Sequence, residues 1–486
     1  MLLGVLVIVP LIFSLLLFAL PDSEKNKLIA LSASLICFVV SIAMLFNFLP
    51  DPPNYPIFHP TLLRTMGVEF KLGVDGLSML LVLLTTFLTP LIIYSNFGDG
   101  VKRRNSYYAL ILLMEMALIG VFTTTDIMLF YIFWEIALIP VFFISALWGG
   151  KNAKAITFKF FMYTLVGGLL MLAAIVFIYV KTPGNHSFAF SEFYKATLSP
   201  GSQKWLFLAF FFAFAIKIPI FPFHTWQPDL YFTSPTQGTM LMAGIMLKMG
   251  VYGLLRFVLP LFPLIVIDLG FYAILLSIIG VVYASVIAIR QDELKKLIAY
   301  SSLAHVGLIA AGVLTRTYIG VEGAMIQMIS HGVNIVGLFF CYEIIFRRTQ
   351  TGRISDLGGI ASKAPVFSIF FMIIMLGSIA FPLTNSFVGE FLLLLGVFEY
   401  NKVLAVFAGL TIIFGAVYML WMFQRTMYGE PKEATKVFAD LTVREILILV
   451  PVVAIILWIG IYPRMFLGIA EPAVNSILQI NSGLIP

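Results

Sequence analysis

AIKIPIFPFHTWQPDLYFTSPTQGTMLMAGIMLKMGVYGLLR, residues Ala215–Arg256, decides how the chain is read. Two apolar stretches each carry one lysine, Lys217 and Lys248, on either side of a prolyl, polar break. A lysine at the centre of a bilayer costs about 2.5–3.5 kcal/mol on insertion scales, so an intramembrane lysine implies a function. The reading is that these two lysines carry protons and that the surrounding helices supply their partners.

Working outward, the flanking sequence is a succession of apolar runs of about 20 residues, the length that crosses a bilayer as a helix. Of 486 residues, 61% are hydrophobic and 11% charged. The class is an all-α polytopic membrane protein, with lipid as its main environment. Fourteen spans can be drawn, at 2–20, 28–48, 77–97, 106–124, 127–148, 159–181, 205–222, 238–260, 264–289, 294–313, 321–346, 365–399, 402–425 and 443–464. The first carries no basic n-region and runs into Pro21-Asp22-Ser23-Glu24-Lys25, so it reads as a retained helix rather than a cleaved signal. Between spans, 49–76, 182–204 and 426–442 are too short to fold separately, and 1–486 forms one membrane domain.

Two spans should be broken. The seventh contains Lys217-Ile218-Pro219-Ile220-Phe221-Pro222 and the twelfth Phe381-Pro382-Leu383-Thr384-Asn385. Proline removes a helix hydrogen bond and clashes with the preceding turn. The freed backbone groups survive at membrane depth only against protein or a water-lined cavity. Broken helices five spans apart suggest two inverted five-helix repeats, spans 4–8 (106–260) and 9–13 (264–425). Helices 1–3 (1–105) precede them, and helix 14 with the tail (426–486) follows. The alternative is two unrelated kinks, because residue identity between the halves is poor. One set of loops holds roughly twice as many Lys and Arg as the other, which puts both termini on the non-cytoplasmic side.

Six buried ionisable residues complete the pattern: Glu135, Lys217, Lys248, His305, His331 and Glu390, each on a different span. Burial disfavours the charged form of a side chain, and an opposite charge nearby restores it. A lysine that gains or loses a carboxylate partner can therefore bind or release a proton. In this scheme Glu135 controls Lys217, the proton moves toward Lys248, His305 and His331 are possible relays, and Glu390 is the exit. The bland readings are a Glu–Lys pair that only locks two helices and histidines that only hydrogen-bond across an interface. Glu115 and Glu343 are expected in outer turns, and Asp229 is expected to pin its loop.

Other chemistries find no support. Cys37 and Cys341 are far apart, with no haem or iron–sulfur spacing. No P-loop or strand-linked Gly-x-Gly-x-x-Gly occurs, and Gly352, Gly358 and Gly359 read as a loop. The five histidines contain no metal-binding spacing, and the net charge of +6 sits in short loops without the aromatic interleaving of a nucleic-acid surface.

Phe133-Trp134-Glu135 with Pro140 and Ala146-Leu147-Trp148-Gly149 resembles the fifth-helix motif of the antiporter-like subunits of respiratory complex I. Ala215–Pro219 with Pro222–Asp229 resembles their seventh helix, and Leu241–Arg256 their eighth. Spans 3–13 are covered, and glutamate rather than lysine at 390 points to the M-type. The resemblance implies fourteen helices with inverted repeats, and proton transfer by Glu135, Lys217, Lys248 and Glu390. It also implies a place beside L-type and N-type subunits in the membrane arm of an NADH:quinone oxidoreductase. NADH, FMN, iron–sulfur clusters and quinone would sit in partner subunits, with no cofactor or metal in this chain. The expected location is a bacterial plasma membrane. The competing reading is a subunit of a multisubunit cation/proton antiporter or membrane-bound hydrogenase, and a structural spacer is the third. The loop Gln227-Pro-Asp-Leu-Tyr-Phe-Thr departs from the usual Leu-Pro-Asp-Ala-His, so that loop carries no histidine for proton uptake.

Overall fold

The computed structural model describes residues 1–48, 57–58, 64–65, 68–98, 100–183 and 186–482. Most of the 49–67 stretch in the expected 49–76 loop lies outside the described residues, as do 184–185 of the 182–204 loop. Nearly every described segment is helical. In hydrocarbon each backbone N–H and C=O must be satisfied internally, and a helix does this within one segment.

Twelve helices among the described residues are long and apolar enough to cross a membrane. The two remaining expected spans are the interrupted ones. The seventh is Pro200–Lys217, which opens on polar Ser202, Gln203 and Lys204 and ends at the lysine itself. The twelfth is cut into Pro365–Ser378 and Asn385–Tyr400, with Ala380 and Leu383 in left-handed conformations between the pieces. Both breaks fall at the proline segments where the sequence placed them.

The eighth span differs from expectation. It runs Thr236–Leu261 but winds as a π-helix over Met242–Met246 and again over Leu254–Val258, on either side of Lys248. Such π-turns are rare and recur at functional sites. The tail differs too: beyond the fourteenth span, Val443–Ile461, lies a further amphipathic helix, Arg464–Ser482.

The chain packs as two compact units. The first comprises Met1–Ile218, Ile245–Phe271 and Gly468–Pro486. Its first four spans pack together through apolar side chains with a few buried hydroxyl links. Ser14 Oγ donates to Ala109 O at 2.8 Å, and Ser41 Oγ lies 2.7 Å from Thr86 Oγ1. One end of this unit is tied by short extended pieces, with Leu72 bridging to Thr124 and Asp126 to Ala189. Asp126 also caps the fifth span, accepting from Met128 N and Leu129 N, and takes Glu69 N at 3.0 Å.

The second unit comprises Pro219–Gly244 and Tyr272–Leu467. Its core is the tenth span, Leu294–Leu314, and the eleventh, Tyr318–Thr349, both almost wholly buried. The helix Asn385–Tyr400 packs against them. Asp440 caps the twelfth span by accepting from Val366 N and Phe367 N, and Arg348 pairs with Glu445 at 2.8 Å.

Candidate functional site

In the first unit, Glu135 lies near the end of the helix Ile127–Ile136, just before the fifth span restarts at Leu138. Its carboxylate rests on the sixth span, Ala153–Tyr179, at Gly168: a Cβ built there would run into Glu135 Oε1. Gly168 therefore makes room for the acid. One residue earlier, Gly167 lets the seventh span close in, since a Cβ there would lie 3.1 Å from Ala213 Cα. Two consecutive glycines thus bring the sixth span against both the glutamate and the lysine-bearing helix.

Lys217 is the last residue of its helix and has no exposed surface. The carbonyls at a helix C-terminus carry partial negative charge, which suits a cation there. Its Nζ stands 5.0 Å from the centroid of Trp134 and 6.0 Å from that of Phe160. Glu135 and Lys217 are each the opposite charge acting on the other. They close no direct ion pair, however: neither Lys217 Nζ nor Glu135 Oε1 has a hydrogen-bond partner among the described residues. The expected carboxylate–lysine partnership is therefore present at longer range than a salt bridge.

Lys248 is buried in the regular turn Leu247–Gly253, between the two π-turns. Two residues on, Gly250 packs against Phe214 O and Ile218, where the seventh span breaks. The eighth helix is thus seated on the break that follows Lys217.

The second unit gathers the other three residues. His305 Nδ1 lies 2.8 Å from Glu390 Oε1. The ring nitrogen is not aimed at that oxygen, so this close approach does not close a hydrogen bond. Gln327 donates its Nε2 to the same oxygen at 3.3 Å. Gly389 allows this approach, because a Cβ there would strike Gln327. The His331 ring stands 6.1 Å from that of His305, and its Nε2 lies 3.1 Å from Ser302 Oγ. Asn334 Nδ2 donates to Asn385 Oδ1 at 3.0 Å and Ser386 Oγ at 2.9 Å. His305, Gln327, His331, Asn334, Ser378 and Ser386 line a cavity of about 10 Å³. That is about the space one water needs, and the walls supply the polar partners it requires. Among the described residues no cluster of His, Cys, Asp and Glu could hold a metal ion.

The sequence reading missed how several ionisable groups are placed, among them Glu115, Lys295 and Arg256. Glu115 was expected in an outer turn; instead it is fully buried in the fourth span, Arg104–Thr123. Neither of its carboxylate oxygens has a hydrogen-bond partner among the described residues. Its position in the interior of an unbroken apolar run was the available signal. Lys295, at the start of the tenth span, was given no role, yet it is buried and donates to Ser234 O at 2.5 Å. Arg256 ends the opening stretch and pairs with Asp75, far away in sequence, which no local pattern could reveal. Glu343 behaves as expected of an outer turn, pairing with Arg347 at 2.9 Å.

Comparison with known proteins follows the same lines. Residues 124–415 match the family described as NADH:quinone oxidoreductase/Mrp antiporter, TM. NADH-quinone oxidoreductase subunit M of Rhodobacter capsulatus is 41% identical over 471 residues, covering 94% of this chain and 92% of that protein. NADH-ubiquinone oxidoreductase chain 4 of Marchantia polymorpha is 37% identical, covering 98% and 96%. Among solved structures, a chain of respiratory complex I from Thermus thermophilus with bound NADH superposes with a TM-score of 0.90 at 30% identity. The match covers 99% of this chain and 100% of that one. A chain of the Mrp complex from Dietzia sp. has the same fold, with a TM-score of 0.87 at 17% identity. The chain belongs to the NADH:quinone oxidoreductase/Mrp antiporter family of membrane subunits, in its subunit M branch.

Proposed function

We propose that this integral membrane protein is a proton-translocating subunit in the membrane arm of an NADH:quinone oxidoreductase. It would use Glu135, Lys217, Lys248 and Glu390 as proton-transfer groups, with His305 and His331 as relays. One observation carries the reading. Lys217 is buried and Glu135 half-buried, the two act on each other electrostatically, and they are not locked into a salt bridge. A group in that state changes how tightly it holds a proton when its neighbour's charge changes. A locked pair would instead resist both proton loss and proton gain.

The residues divide the work. Glu135, rotating over Gly168, sets the charge that Lys217 feels. Lys217 passes a proton on toward Lys248, where the two π-turns loosen the helix. In the second unit, the polar cavity between His305 and His331 can hold the water that a relay needs, and Glu390 receives the proton beside His305. The stretches 106–260 and 264–425 are read as the repeats that each supply one half of the path.

The chain offers no residue pattern for a redox centre. NADH, FMN, iron–sulfur clusters and quinone are therefore assigned to partner subunits, with L-type and N-type subunits as neighbours in the arm. The excess of Lys and Arg in one set of loops supports reading both termini on the non-cytoplasmic face, in a bacterial plasma membrane.

The test is NADH-driven proton uptake in inverted membrane vesicles carrying the intact complex. Glu135→Gln and Lys217→Ala should each reduce pumping by at least tenfold with the complex assembled. Lys217→Arg, which keeps the charge but does not release a proton, should also fail. Normal pumping in all three variants would leave the chain a structural spacer. Recovery of the chain without flavin and iron–sulfur subunits would favour the antiporter reading.

A further inference from the structure

At the end of the first unit that carries 68–75, 124–126 and 186–194 lies a cavity of about 210 Å³. Lys71, Asp75, Ser78, Thr125, Tyr252 and Arg256 supply its polar wall. A single water needs roughly 10–15 Å³ measured in this way, so several fit. Arg256 crosses the cavity wall and is held from three sides. It pairs with Asp75, donates from Nε to Tyr252 OH at 3.2 Å and from Nη2 to Ser78 Oγ at 3.3 Å. Its own carbonyl accepts from Tyr194 OH at 2.9 Å, within the π-turn Leu254–Val258. Asp75 is fixed in turn by capping the third span at Ser78 N.

This constellation lies along the same helix as Lys248. Tyr252 follows it by four residues in a regular turn, which puts both on one helix face. Tyr252 OH contacts Arg256 on one side and donates to Phe122 O at 3.3 Å on the other. At about 1.5 Å rise per residue, the lysine lies roughly 12 Å along the helix from Arg256. Lys248, Tyr252 and Arg256 thus succeed one another along one helix, and Arg256 with Asp75 lines a cavity with room for water at its end.

We propose that Asp75 and Arg256 form a gate on a water-filled vestibule through which Lys248 exchanges protons with the face bearing these loops. The inference rests on the proton-transfer reading of Lys248, but it names a route that does not use Glu390. With the pair closed, a fixed guanidinium opposes the entry of a hydrated proton, as a positive side chain does in a selective pore. With the pair open, a proton leaves the Lys248 ammonium, crosses vestibule water to the Asp75 carboxylate, and is released to bulk water. The lysine is left neutral and Asp75 is restored as the anion.

The experiment uses the intact complex in membrane vesicles. Asp75→Asn should cut NADH-driven proton pumping at least threefold, and Asp75→Glu should recover most of it. Ser78→Cys should react with a membrane-impermeant cationic thiosulfonate applied from the face bearing the loops. Labelling should block pumping relative to the same variant before treatment, and a reducing agent should reverse the block. A merely structural role gives no reversible, sided block. Lys248→Ala is the control that separates the two readings. If Lys248→Ala abolishes pumping while Asp75→Asn and labelled Ser78→Cys pump normally, the gate is wrong and proton transfer by Lys248 stands. If Lys248→Ala pumps normally, proton transfer by this lysine fails and the gate with it. If Asp75→Asn does not assemble, labelled Ser78→Cys decides.

Discussion

Glu135 and Lys217 show what single residues contribute. Both were conspicuous in the sequence because a charge among apolar residues needs a reason. Their relation was not readable there: a salt bridge and two longer-range charges have the same spelling. The difference depends on Gly167 and Gly168, which set how near the sixth span comes to each. Gly168→Ala should therefore displace the Glu135 carboxylate. We expect at least a fivefold loss of proton pumping with the complex still assembled, measured as NADH-driven acidification of vesicles. Pumping at the parental rate would mean that the acid has another resting place. Glu115 carries the opposite lesson. It stood in plain view as an acid in an apolar run, yet only packing against the neighbouring spans shows that it is wholly enclosed.

At the scale of elements, the sequence foretold where helices break, since proline is locally decisive. It did not foretell how the eighth span winds, because nothing in Gly244–Gly250 distinguishes a π-turn from an α-turn. Caps were hidden for a similar reason. Asp126 caps the fifth span, a role its position before Ile127-Met128 allows, but it also holds Glu69 N from another segment. Removing an N-cap side chain typically costs about 0.5–2 kcal/mol. Asp126→Ala should cost near the upper end, because the Glu69 amide loses its acceptor as well. Thermal unfolding of the purified complex, followed on this subunit, should show a lower midpoint. An unchanged midpoint would mean that water replaces the carboxylate at no cost.

For the whole molecule, acid stability tests the long-range tie between the third and eighth spans. Burial by itself raises the Asp75 carboxyl, but the charge and hydrogen bond of Arg256, with help from Ser78, outweigh it and hold the group below its ordinary value of 3.8. A depressed folded value means that the contribution is fully present above the ordinary aspartate range and is lost as pH falls through the lower, folded value. Asp75→Asn should therefore lower the midpoint of unfolding by the same amount at pH 8 and pH 5. A defect that disappears by pH 5 would show that Asp75 is already protonated there.

The sequence by itself determined the class, the apolar runs that become helices, the two breaks and most of the ionisable residues. Each of these follows from local rules: hydrophobic length against bilayer thickness, the missing N–H of proline, and the cost of charge in oil. Only the tertiary structure decided which charges are tied and which stand unpaired. It sealed Lys295 against Ser234, brought Asp75 to Arg256, and left Lys217 facing Glu135 without a bond. Those outcomes depend on how closely helices distant in sequence approach one another, and a glycine's missing side chain or a π-turn sets that distance only once both helices are in place.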